Sequence, residues 1–162
     1  MPRPRPLDEP SIPVLLRHAR PAYSSAMRTA LAEAGFGDIP NNGLYLLGGL
    51  ARQSGGLPLS QLIEDLNVSK QIAGQLVDTL VTRRYLSREV DKDDRRRLTI
   101  ALTGRGRAAA KVLAGARAQV DAQLLSRVGA KDLERVRRAL FVLIDIGRKR
   151  HSKKSVYSAA RG

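Results

Sequence analysis

LPLSQLIEDLNVSKQIAGQLVDTLVTRRYL, residues 57–86, holds two amphipathic runs separated by three residues. In the first, Ser60 is placed to cap a short helix whose Leu62, Ile63 and Leu66 point inward. Asn67 follows, and asparagine is the best substitute for glycine where a helix ends in a left-handed residue. Val68 is a single apolar plug, and Ser69 can cap the second run. Helix, tight turn and helix make a helix-turn-helix pattern.

At 100° per residue the second helix sorts into two faces. Ile72, Ala73, Leu76, Val77 and Leu80 form the inner one; Lys70, Gln71, Gly74, Gln75, Asp78 and Thr82 form the outer. Glutamine pairs bidentately with adenine in the major groove, and Gly74 would let the helix approach a duplex closely. An ordinary solvated face with a stray glycine is the plain alternative. The turn and its caps favour recognition.

The next segment alternates apolar and polar residues: Leu86, Arg88 and Val90, then Leu98, Ile100 and Leu102. Between them lies DKDDRR, residues 91–96, followed by Arg97. A two-stranded hairpin with an arginine tip beside a recognition helix is a wing, and its tip suits a narrow minor groove. The aspartates are placed to hydrogen-bond the guanidiniums from behind and aim them. A solvated turn whose charges neutralise one another is the competing reading.

Outside this region the pattern is helical. Val14–Ala34 repeats apolar residues every three or four positions, Pro21 is expected to kink or split it, and Gly35 and Gly37 end it. Asn41 or Asn42 can cap a second helix bearing Leu44, Leu47 and Leu50. Gly104–Val128 forms a long helix, Gly129 breaks it, and Asp132 starts another with Leu133, Val136, Leu140, Leu143 and Ile144 on one stripe. These long helices are candidates for a dimer interface. MPRPRPLDEP reads as a flexible basic arm, and the Ser-rich, basic end from Arg148 as a tail.

The chain has 162 residues and a formal charge of +14, a field that attracts polyanions, nucleic acid first. Cysteine is absent, which excludes disulfides and thiolate chemistry, and the two histidines lack ligand-like neighbours, so no metal or cofactor is expected. No apolar run approaches the ~20 residues of a membrane span, and the start has no signal-peptide core; a cytoplasmic protein is expected.

At this point the chain resembles the MarR family of bacterial transcription regulators over roughly residues 14–148. The resemblance rests on Leu59-Ser60-Gln61-Leu62, Val68-Ser69-Lys70-Gln71, Leu76-Val77-Asp78-Thr79-Leu80, then Asp91, Asp94, Arg95 and Arg96, then Leu102-Thr103 and Gly106. It implies a mainly α fold with a small β-hairpin wing: a winged helix-turn-helix domain flanked by N- and C-terminal dimerisation helices. The expected organisation is a basic arm (1–10), an N-terminal dimerisation region (11–37), the DNA-binding domain (38–103), C-terminal dimerisation helices (104–150) and a flexible basic tail (151–162).

The resemblance further implies a homodimer on a pseudo-palindromic operator, with helix 69–83 in the major groove and wing 87–101 in the minor groove. Expected DNA contacts are Ser60, Ser69, Lys70, Gln71, Gly74, Gln75, Arg83, Arg84, Arg88, Asp94, Arg95, Arg96 and Arg97, with Asp94 orienting Arg96. Arg84 stands where the family usually has glycine, so that helix end is expected to close differently, and Lys92 replaces a frequent proline. A repressor released by a small phenolic or aromatic effector is the implied regulatory form, with Arg17, His18, Tyr23 and Tyr45 as candidate lining. The alternatives are a non-specific architectural DNA coater and an enzyme or adaptor for acidic proteins; no catalytic constellation is visible, and Gly104-Arg105-Gly106 is explained by a helix start.

Overall fold

Ser11 and Pro13 open the first helix: proline lacks the N–H that a first turn leaves unpaired anyway. The structure, a computed structural model, describes residues 10–53, 56–66, 68–90 and 98–159, the backbone alone at 65, 66 and 148–159. Helix α1 spans Ile12–Glu33. Pro21 does not split it, contrary to expectation. Pro21 and Arg17, whose carbonyl loses its partner, both lie on the exposed side, where water can replace the missing bond. Gly35, at φ +79, closes the helix by letting Phe36 N–H reach the Leu31 carbonyl at 2.7 Å.

Helix α2 (Gly43–Leu50) begins after Asn42, which makes no side-chain cap. Asn41 is occupied elsewhere, accepting a hydrogen bond from Arg28, so the expected asparagine cap is not formed. Next come β1 (Leu57–Pro58), α3 (Leu59–Leu66), α4 (Lys70–Thr82), β2 (Leu86–Val90) and β3 (Leu98–Leu102). The sheet has three antiparallel strands in the order β1-β3-β2, with Leu57 opposite Ile100 and Leu86 opposite Leu102. The sequence pattern shows only the β2–β3 hairpin, because two residues cannot display alternation. Pro58 is tolerated because β1 is an edge strand.

Helix α5 runs Gly104–Ala159 and is interrupted at Gly129, where φ 80 and ψ 162 lie in a region open essentially to glycine alone. The expected break is therefore present. The flexible tail expected at 151–162 is helical as far as Ala159: arginine and lysine are good helix formers, and no proline or glycine lies between Arg148 and Arg161. Residues 160–162 and the arm before residue 10 lie outside the described residues.

The chain divides into two compact units, Met1–Val120 and Asp121–Gly162. In the first, Met27 and Leu31 of α1, Leu44 and Leu47 of α2, Leu62 of α3, Val77 and Leu80 of α4, Tyr85, Leu86, Ile100 and Leu113 form one core. Burying each of these large side chains contributes about 1.5–3 kcal/mol, and together they fix α4 against the sheet. The first unit also exposes Ile12, Val14, Leu15 and Leu16 on α1. The second exposes an apolar run from Leu140 to Ile144, with Phe141 71% accessible.

Candidate nucleic-acid interface

Ser69 begins the site. Its backbone is extended (φ −63, ψ 152), and its hydroxyl accepts the Ile72 N–H at 3.2 Å, one of the donors that a helix start leaves unpaired. The cap fixes where α4 begins, and hence which residues face outward. Ala73, Leu76, Val77 and Leu80 are buried; Lys70, Gln71, Gln75, Asp78 and Thr82 are exposed. Gly74 has open space where a side chain would stand. Ile72 departs from the expected inner face: it is 46% exposed, flanking Gln71 and Gln75. It lies a quarter-turn from the centre of the buried stripe, too far round to reach the core.

Ser60 is exposed inside the first turn of α3, which starts one residue earlier, so it is not the cap expected of it. Leu62 is buried and Ile63 half-buried, while the Leu66 side chain and Asn67 lie outside the described residues. So do Asp91, Lys92, Asp94, Arg95, Arg96 and Arg97 of the expected wing tip. The two strands that carry the tip are described, with Val90 paired to Leu98 next to it.

Arg88, one of the expected DNA contacts, donates a hydrogen bond to Asp78. The pair ties β2 to the outward face of α4, with both side chains still largely accessible.

Arg84 has φ 63, the left-handed conformation a glycine would take. Tyr85 N–H reaches the Leu80 carbonyl at 2.8 Å, and Arg84 N–H the Val81 carbonyl at 2.9 Å. The helix thus closes with the same paired bonds that glycine supports, not differently. Arginine adopts them at a steric cost of about 1–2 kcal/mol.

Immediately beyond lies a cluster the sequence did not reveal. Tyr85 is fully buried, and its hydroxyl donates to Asp38 Oδ1 at 2.5 Å while accepting from Arg105 Nη2 at 2.9 Å. Arg105 also lies 3.4 Å from Asp38 Oδ1 and 4.7 Å from the Tyr85 ring centroid. Phe36 meets the Tyr85 ring edge-on at 6.2 Å. Arg83 donates to the Asp38 carbonyl. The Tyr85 hydroxyl holds the Asp38 carboxyl below its ordinary value, with Arg105 and Arg83 helping and partial burial opposing. Burial, then the Asp38 bond, push the Tyr85 phenol up. A buried tyrosine requires a hydrogen-bond partner, but nothing in the sequence says that it is Asp38, 47 positions away.

Of the expected effector lining, Arg17 and His18 are exposed on α1, Tyr23 is half-buried against the core, and Tyr45 is exposed. Arg20 stands over the Tyr45 ring, at 5.5 Å from its centroid. Among the described residues, no group of three or more histidine or carboxylate side chains is placed to hold a metal ion, and no helix is long and apolar enough to cross a membrane.

A sequence model of the MarR family matches residues 38–97, which take in α2, β1, α3, α4 and β2. This segment belongs to the MarR family. The surrounding fold is of the MarR type as well. The chain is similar to the Staphylococcus aureus MepR–DNA complex at 22% identity, with a TM-score of 0.70 over 85% of this chain and 98% of that one. S. aureus MepR in a DNA-binding conformation gives 21%, 0.70, 83% and 97%. A MarR transcriptional regulator from Methanosarcina mazei gives 19%, 0.66, 83% and 97%. No curated protein sequence matches the chain.

Proposed function

We propose that this chain is a sequence-specific double-stranded DNA-binding transcription regulator. One observation carries the reading: on α4, capped by Ser69, Gln71 and Gln75 stand exposed around the open notch at Gly74. That arrangement presents two adenine-reading amides on a rod narrow enough for the major groove. The MarR-type fold and its likeness to a regulator bound to DNA support the same reading. In it, the wing carries Arg95, Arg96 and Arg97 to the minor groove, with Asp94 orienting Arg96, while Lys70, Arg83 and Arg84 meet phosphate. Ser69 reaches a flanking phosphate where its cap allows.

The regulator acts as a homodimer on a pseudo-palindromic site, through the exposed apolar residues of α1 and of the second half of α5. Its regulatory form is repression relieved by a small phenolic or aromatic effector lying against Tyr45 and Tyr23 near Arg17 and His18. Selection of bound sequences from random duplex DNA tests the reading. An enriched motif with two inverted half-sites is expected. Retention without enrichment would establish instead the architectural DNA coater that the +14 charge alone permits. Light scattering at micromolar concentration checks the dimer.

A further inference from the structure

The C-terminal end of α4 is clamped, while Gln71 and Gln75 project from the exposed side of its N-terminal half, whose other side is buried through Ala73 and Leu76. Three segments meet at the clamp: the α1–α2 loop through Phe36 and Asp38, the turn after α4 through Arg83, Arg84 and Tyr85, and the start of α5 through Thr103, Arg105 and Gly106. Thr103 Oγ1 donates to the Arg84 carbonyl at 2.5 Å, and it receives the Gly106 N–H at 3.0 Å. Gly106 lies so close under the Tyr85 carbonyl that no Cβ could fit between them. The Tyr85 hydroxyl is the one group in this turn bonded to both of the other segments, through Asp38 and Arg105.

We propose that Tyr85, Asp38 and Arg105 are positioning residues for DNA recognition: they touch no base, and they set the angle at which α4 is presented. The inference rests on the DNA-binding reading above. Its physical basis is leverage. From the helix end at Arg83 to Gln71 is about 18 Å of helix at ~1.5 Å per residue. A tilt of about 3° at the clamped end therefore moves the glutamine by about 1 Å, and an N–H···O bond of ~2.9 Å is lost by ~3.5 Å. Contacts to phosphate, made by long flexible cations, follow such a shift easily; paired bonds to a base edge do not.

That difference supplies the test. Loss of folded protein lowers affinity for every duplex equally, whereas a misaimed helix lowers affinity for the preferred site alone. Full-length wild type, Tyr85→Phe and Asp38→Asn are compared on the selected site and on an unrelated duplex of equal length at one salt concentration. Tyr85→Phe removes only the hydroxyl; the preferred site is expected to weaken about tenfold, with the unrelated duplex within about twofold. Asp38→Asn keeps an acceptor for the hydroxyl and gives up only the charge, so it should fall between wild type and Tyr85→Phe. Parallel losses on both duplexes, or no loss on either, overturn the positioning role and leave the regulator reading intact. A wild-type protein with no preferred site overturns both.

Discussion

Asp78, the single acid of α4, is hydrogen-bonded to Arg88 of β2, so the helix that carries the glutamines and the strand that carries the wing share one ion pair on their exposed side. A carboxylate on the surface proposed to meet DNA would otherwise be unfavourable, and pairing with Arg88 offsets its charge. Both partners are largely accessible, so the pair is worth only about 0.2–1 kcal/mol. A double-mutant cycle on Asp78→Ala and Arg88→Ala, read by urea unfolding, should give a coupling in that range. Zero coupling would mean that the strand and helix are held together by the core alone.

Replacing Arg84 with glycine should move stability and DNA binding in opposite directions. At φ 63 glycine escapes the steric penalty of arginine but loses more freedom on folding, leaving a net gain of about 0.5–1 kcal/mol. The same change removes a cation from the end of α4 and should weaken binding with a shallower salt slope. Thermal melts and salt-dependent binding on one protein sample check both signs.

The Asp38–Tyr85 pair makes two pH edges. Asp38 is depressed in the folded state, so its contribution is complete above the ordinary carboxylate value near 3.8 and is lost as pH falls through the folded value below it. Tyr85 is raised, so its contribution is complete below the ordinary phenol value of 10.0 and is lost as pH rises through the folded value above it. Comparison of unfolding curves for wild type and Tyr85→Phe should show the wild-type advantage flat between these edges. An advantage that fades near neutrality would assign the bond to other groups.

Ile72 offers a chemical probe of base reading. In the proposed major-groove placement of α4, the apolar feature that its exposed side chain beside the glutamines would meet is the thymine methyl. Deoxyuridine substituted for thymidine at the matching position should cost about 0.8 kcal/mol, the value of one buried methyl or methylene. The Ile72→Ala variant should lose most of that sensitivity. Equal responses of the two proteins would place Ile72 away from the bases.

The helix-turn-helix and the hairpin were legible because their periods differ. The 3.6-residue repeat of Ala73, Leu76, Val77 and Leu80 follows from the buried side of α4, whereas the two-residue repeat of Leu98, Ile100 and Leu102 marks β3 although only Ile100 of the three is buried and Leu98 is 48% exposed. The cap at Ser69 and the break at Gly129 were equally local. β1 was not, since Leu57 is defined by its partner Ile100 far along the chain. The same reason hid the Asp38–Tyr85–Arg105 cluster, whose members are far apart in sequence. Ile72 was misjudged by one step of helical angle, the margin at which periodicity stops separating core from flank.

Two glycines separated by one arginine have opposite fates. Gly104 looks onto empty space, and Gly106 is pressed against the Tyr85 carbonyl. A methyl group added at the first position would touch nothing. The second is frozen, because even one added methyl would pry the opening turn of the last helix off the rest of its unit.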